Sequence, residues 1–100
     1  MFVRNLVVLI ALVFSPYAMA DKATAINSGC FGCHQIDNKT VGPAIKDIAK
    51  KHKNTDLEQL VQTVKNGKSG DQLSWGKTPM PPNAAPEENI RKVIKWMLSH

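Results

Sequence analysis

The chain has 100 residues, 43% of them hydrophobic, with two cysteines and a formal charge of +5. That length allows one small domain and excludes the large α/β architectures of most metabolic enzymes. Two cysteines cannot build a disulfide framework, so a chain this short needs another internal scaffold to fill its core.

The N-terminal segment does not belong to that domain. Arg4 is followed closely by the unbroken apolar run 6–14, then by Ser15, Pro16 and the triplet Ala18-Met19-Ala20. The run falls short of the roughly 18 residues that cross a bilayer, and Ala-x-Ala has the small side chains a signal peptidase requires. Residues 1–20 therefore read as a secretory signal peptide cleaved after Ala20, and 21–100 as the mature domain. Losing Arg4 with the leader lowers the formal charge from +5 to +4. Export also removes nucleic acid from the expected partners, and no membrane span is expected in the mature chain.

Gly and Pro divide the mature sequence into four segments of helical period, and the fold class expected is all-α. The first, 22–28, has Ala23 and Ile26 on one face and stops at Gly29, a residue suited to the left-handed position beyond a helix end. After a turn region at 37–43, the second, 44–53, carries Ile45, Ile48 and Ala49 on one face and Lys46, Lys50, Lys51 and Lys53 on the other. The third opens with Thr55 and Glu58 in the relation of a capping box, continues with the stripe Leu57, Leu60, Val61 and Val64, and ends at Gly67. A Gly-, Ser- and Pro-rich loop then occupies 68–85, where three closely spaced prolines exclude helix and paired strand alike. Pro86 opens the fourth segment, with Glu87 and Glu88 in its first turn and the stripe Ile90, Val93, Ile94, Met97 and Leu98.

The chemistry lies between the first two segments. Cys30-Phe31-Gly32-Cys33-His34 is a Cys-x-x-Cys-His sequence, the attachment motif of c-type haem. Two thiols one helical turn apart can each add across a haem vinyl group, and the next residue then presents its imidazole to the iron. A thioredoxin-like pair would need a βαβ setting that the pattern lacks. A zinc site would need two further paired ligands, whereas His52 and His100 are far apart, in polar helical stretches, and are expected to be solvent-exposed.

Met80, Met97, His52, His100 or a lysine could supply a sixth iron ligand. Met97 belongs to the apolar stripe of the last helix, where packing explains it. Met80 lies in a proline-stiffened loop that no stripe explains, and the flanking prolines reduce the entropy lost in fixing its sulfur. The expected axial pair is His34 and Met80.

These residues, with Val41-Gly42-Pro43-Ala44, Lys65-Asn66-Gly67, Trp75-Gly76, Pro79-Met80-Pro81-Pro82-Asn83 and Lys95-Trp96-Met97-Leu98-Ser99, resemble the small bacterial class I cytochromes c, especially the five-fifty-one and five-fifty-two group. The resemblance covers nearly all of the mature chain. It implies a class I cytochrome c fold, four short helices around one covalently bound haem c and its iron. It also implies that the Pro43 carbonyl accepts a hydrogen bond from the His34 ring, that Trp75 contacts a haem propionate and that Asn83 steadies the Met80 sulfur. The chain departs from the family pattern at Thr63, where familiar members place an arginine that pairs with a propionate. Residues 69–74 run slightly longer than usual, and Lys77-Thr78 replaces a more apolar pair.

The function expected is that of a soluble periplasmic one-electron carrier rather than an enzyme. Its basic second helix, with Lys39 and Lys77, would dock weakly and salt-sensitively on acidic redox partners. The resemblance suggests a nitrite reductase, a terminal oxidase or a peroxidase as partner, and a monomeric state. A small haem peroxidase or gas sensor would require an open sixth position, against which Met80 argues. A subunit of a larger oxidoreductase is the third reading.

Overall fold

A computed structural model describes residues 16–100, with side chains from residue 21 onward, so most of the expected leader lies outside the described residues. Four helices follow one another: α1 (Pro16–Asn27), α2 (Ile45–His52), α3 (Leu57–Asn66) and α4 (Glu87–Leu98). Short 3-10 turns sit at Cys30–Gly32 and Gly70–Gln72, and the described residues contain no strand beyond two isolated bridges. No helix among them is long and apolar enough to cross a membrane. The helix α1 runs through the expected cleavage point after Ala20.

The last helix is the hub. It packs against each of the other three, because apolar side chains occupy more of its circumference than the expected stripe. Val93, Trp96 and Met97 join Ala25 and Ile45 in one cluster, while Ile90 and Ile94 join Val61 in another. Trp96 lies beside the stripe read from the sequence, turned toward the haem motif, with its ring 5.9 Å from that of Phe31. Leu57, Leu60 and Val64 pack against the second cluster, as the third stripe predicts.

The first helix differs from expectation. Among its described side chains Ala25, at 0% exposure, is the buried one, and Ile26 is 54% exposed. The small side chain lets α1 pack closely on α4, so close packing rather than hydrophobicity selects the buried face. Gly29 takes the left-handed conformation expected at the helix end, with φ 81°.

Helix starts use several devices. The first amides of α2 find backbone partners in the preceding loop, Ile45 N–H on Gln35 O at 2.8 Å and Lys46 N–H on Ile36 O at 3.2 Å. The α3 cap is Asp56, whose carboxylate accepts from Gln59 N–H at 3.1 Å, and not Thr55. Thr55 is paired with His52 and Glu58 with Arg91, so both members of the expected capping box are engaged elsewhere.

Candidate functional site

The two cysteines are separated by one turn of 3-10 helix, and the His34 amide bonds back to Cys30 O at 2.9 Å. This places both thiols and the imidazole on one cavity wall. Both thiols are free, and burial pushes the Cys30 thiol above its ordinary range.

His34 is the one buried polar side chain among the described residues, 8% exposed. Its Nδ1 lies 2.8 Å from Pro43 O. A carbonyl only accepts, so Nδ1 carries the proton and Nε2 keeps a free lone pair. The Pro43 loop is held in turn by Gly42 N–H on Cys33 O at 2.7 Å and by the Thr40 hydroxyl on the same oxygen at 2.7 Å. Gly42 has no alternative here: a Cβ would stand 2.5 Å from His34 Cε1. The glycine is what lets the backbone lie against the ring.

Met80 lines the same cavity from the proline-rich loop. The prolines on either side cannot donate, but Met80 retains its N–H, and it exchanges two backbone hydrogen bonds of 2.9 Å with Lys68. A single-residue antiparallel bridge thus forms where no pairing was expected. Gly67, with φ 80°, is packed so tightly below it that a Cβ would approach Met80 O to 2.6 Å and Pro82 N to 2.8 Å. Asn83 ties this loop to the rest of the molecule: its Nδ2 donates to Ser28 O at 2.9 Å, its Oδ1 accepts from Ala85 N–H at 2.9 Å, and its own amide donates to Val64 O at 3.1 Å. Trp75 lines the cavity rim, 38% exposed, with Lys51 Nζ 4.8 Å from its ring centroid.

Most of the remaining wall is apolar, contributed chiefly by Ile48, Leu60, Val64, Ile94, Met97 and Leu98. Met97 also belongs to the buried cluster around Trp96, which agrees with its reading as a core residue. A flat apolar macrocycle with two thioether attachments and iron fits these walls and donors: two thiols, an imidazole nitrogen and a thioether sulfur.

Of the two histidines expected to be solvent-exposed, His52 departs from that expectation and His100 meets it. His52 is half-buried, lines the cavity, and pairs its Nδ1 with Thr55 Oγ1 at 3.1 Å. Burial, followed by the charges of Lys68 and Lys51, lowers its pKa from the ordinary 6.5. A lone histidine in a lysine-rich helix gives no sequence signal for this placement. His100 stays exposed, but its Nδ1 bonds to Trp96 O at 3.0 Å and its ring packs edge-on against that tryptophan.

The chain is also similar to known proteins. The cytochrome c family model matches residues 20–100. Cytochrome c-551 of Pseudomonas aeruginosa is 45% identical over 73% of this chain and 69% of its own length. Cytochrome c-552 of Nitrosomonas europaea is 39% identical over 89% of this chain and 86% of its own. The crystal structure of wild-type Nitrosomonas europaea cytochrome c552 superposes with a TM-score of 0.70 at 37% identity, covering 78% of this chain and 96% of that one.

Proposed function

This chain belongs to the cytochrome c family, an electron carrier with one covalently bound haem c, and on that premise we propose that His34 and Met80 are its axial iron ligands. One observation carries the proposal: His34 and Met80 line a single cavity with Cys30 and Cys33, and the His34 Nδ1 proton is already committed to Pro43. Bound there, haem iron supplies a one-electron ferrous–ferric couple.

The protein's task is to keep that couple's surroundings unchanged. The Pro43 carbonyl fixes the His34 tautomer and ring orientation, which also raises the basicity of Nε2. The Lys68 bridge and the flanking prolines hold the Met80 sulfur with little conformational freedom to lose. Retaining both ligands in both oxidation states limits reorganisation, and a thioether ligand favours the ferrous form. Trp75 at the rim is the proposed propionate contact, and Asn83, which anchors the Met80 loop, the residue that steadies its sulfur.

An occupied sixth position leaves no place for peroxide or gas chemistry, so the reading is a carrier rather than an enzyme. Export to the periplasm follows from the leader 1–20 and cleavage after Ala20, which would shorten α1 to 21–27 and keep the buried Ala25 in the 21–100 domain. Lys39, Lys46, Lys50, Lys53 and Lys77 are exposed and give the monomer a basic surface for brief, salt-sensitive docking on acidic redox partners. Met80→Ala tests the ligand assignment. It should lower the midpoint potential and open the iron to added ligands, whereas an unchanged spectrum and potential would remove Met80 as a ligand.

A further inference from the structure

Beyond the attachment and ligand residues, the cavity has an unbalanced charge. Apart from the two thiols and His34, the ionisable side chains that line it among the described residues are His52, in the last turn of α2, and Lys68, just beyond α3. Among the described residues no Asp or Glu lines it, and neither His52 nor Lys68 forms an ion pair. The helix α4 and the Met80 loop present only uncharged side chains to the same space. Lys51, whose charge also acts on His52, holds its Nζ over the Trp75 ring. Like charges gathered on a half-buried wall are unfavourable unless an anion shares the site.

Haem c brings such an anion, because two of its substituents end in carboxylates. Thr63, which also lines the cavity, cannot answer them with charge, and its hydroxyl already donates to Gln59 O at 2.9 Å. His52 has one ring nitrogen paired with Thr55 and the other without a partner among the described residues. We propose that His52 and Lys68 together form the cationic cradle for the haem carboxylates, an inference that rests on haem occupying this cavity.

The cradle links a proton to the electron. An electron added at the iron increases the negative charge that His52 faces, so the ferrous protein holds the imidazolium proton more tightly than the ferric protein. Raising the pH removes that proton and, with it, a positive charge that favours the ferrous form. The midpoint potential therefore falls with pH through the histidine range, between about pH 5 and 8. The charged groups that act on His52 are Lys68, from the segment after α3, and Lys51 on its own helix.

The test is proton NMR titration of the His52 ring in ferrous and ferric wild-type holoprotein, with potentiometry of wild type, His52→Gln and Lys68→Gln over the same range. The cradle predicts that His52 titrates at higher pH in the ferrous protein. It also predicts that His52→Gln flattens the pH dependence of the potential and that Lys68→Gln lowers the potential. Identical His52 titration in both states, with potentials insensitive to both substitutions, would overturn it. A wild-type haemochrome and low-spin spectrum would show in that case that only the cradle has failed, while absence of haem would overturn the cavity assignment as well.

Discussion

The His34 Nδ1 proton rests on Pro43 O at 2.8 Å, and the one residue between Pro43 and the exposed Val41 is a glycine whose Cβ position is filled by the imidazole. Ring orientation is therefore set by backbone on two sides. Gly42→Ala would have to displace either the ring or the loop, since its Cβ would meet Cε1 at 2.5 Å and Nδ1 at 2.9 Å. Overpacking of this kind costs about 1–3 kcal/mol. The expected result is a lower melting temperature together with altered ferric electron paramagnetic resonance, and a variant identical to wild type in both would refute the packing argument.

Gly67 plays the corresponding part beneath Met80. Its positive φ and the closeness of Met80 O make Gly67→Ala doubly unfavourable, by more than about 1 kcal/mol. The strain should appear at the methionine first, as tighter binding of added imidazole or cyanide to the ferric protein. Unchanged ligand affinity with unchanged stability would mean that the loop accommodates the methyl group freely.

A third prediction concerns the seam between α3 and α4. Arg91 donates two hydrogen bonds to Glu58, at 2.7 and 2.8 Å, and holds its carboxyl below the ordinary carboxylate range. A carboxyl whose pKa is depressed on folding adds stability above its unfolded value, and that contribution is lost as pH falls through the lowered value. Glu58 is exposed and Arg91 partly so, which keeps the effect small and screened by salt. Glu58→Gln should be slightly less stable than wild type at neutral pH and low salt, with the gap closing in acid. Equal gaps across the pH range would rule out the ion pair as its source.

The same carboxylate illustrates what the sequence left open. Thr55 and Glu58 have capping-box spacing, yet Asp56, one residue on and the stronger cap, takes the amide, while Glu58 reaches a residue 33 positions away. Local spacing does not report such distant competition. Similarly, Ile26 is more hydrophobic than Ala25, but only the smaller residue suits the α1–α4 contact. The polar helical stretch around His52 predicts a solvated ring; its half-buried place brings it under the charge of Lys68, from the segment after α3. What was legible in the sequence is what local chemistry constrains: the Cys-x-x-Cys-His turn, the left-handed Gly29, the apolar stripe of α4, and a methionine isolated among prolines. These sufficed for the fold class and for Cys30, Cys33, His34 and Met80 among the residues that line the cavity.

The fourth prediction follows from the thinness of that core. The described interior consists of two small clusters that meet α4 on different sides, and several of the same side chains also face the cavity. Without the haem that apolar wall would be exposed to water, at about 25 cal/mol per Å² of surface left unburied. Replacing both Cys30 and Cys33 with Ala should yield a largely disordered product by circular dichroism. A compact helical domain free of haem would contradict this.

The central claim is a c-type haem held by both thiols and ligated by His34 and Met80. Its most direct test is the visible spectrum of the exported, mature protein in both oxidation states, combined with a pyridine haemochrome assay. The account predicts a two-thioether haemochrome, low-spin spectra, and the weak sulfur-to-iron charge-transfer band in the ferric form. A high-spin ferric spectrum lacking that band would contradict Met80 ligation, and no haem after proper maturation would contradict the claim as a whole.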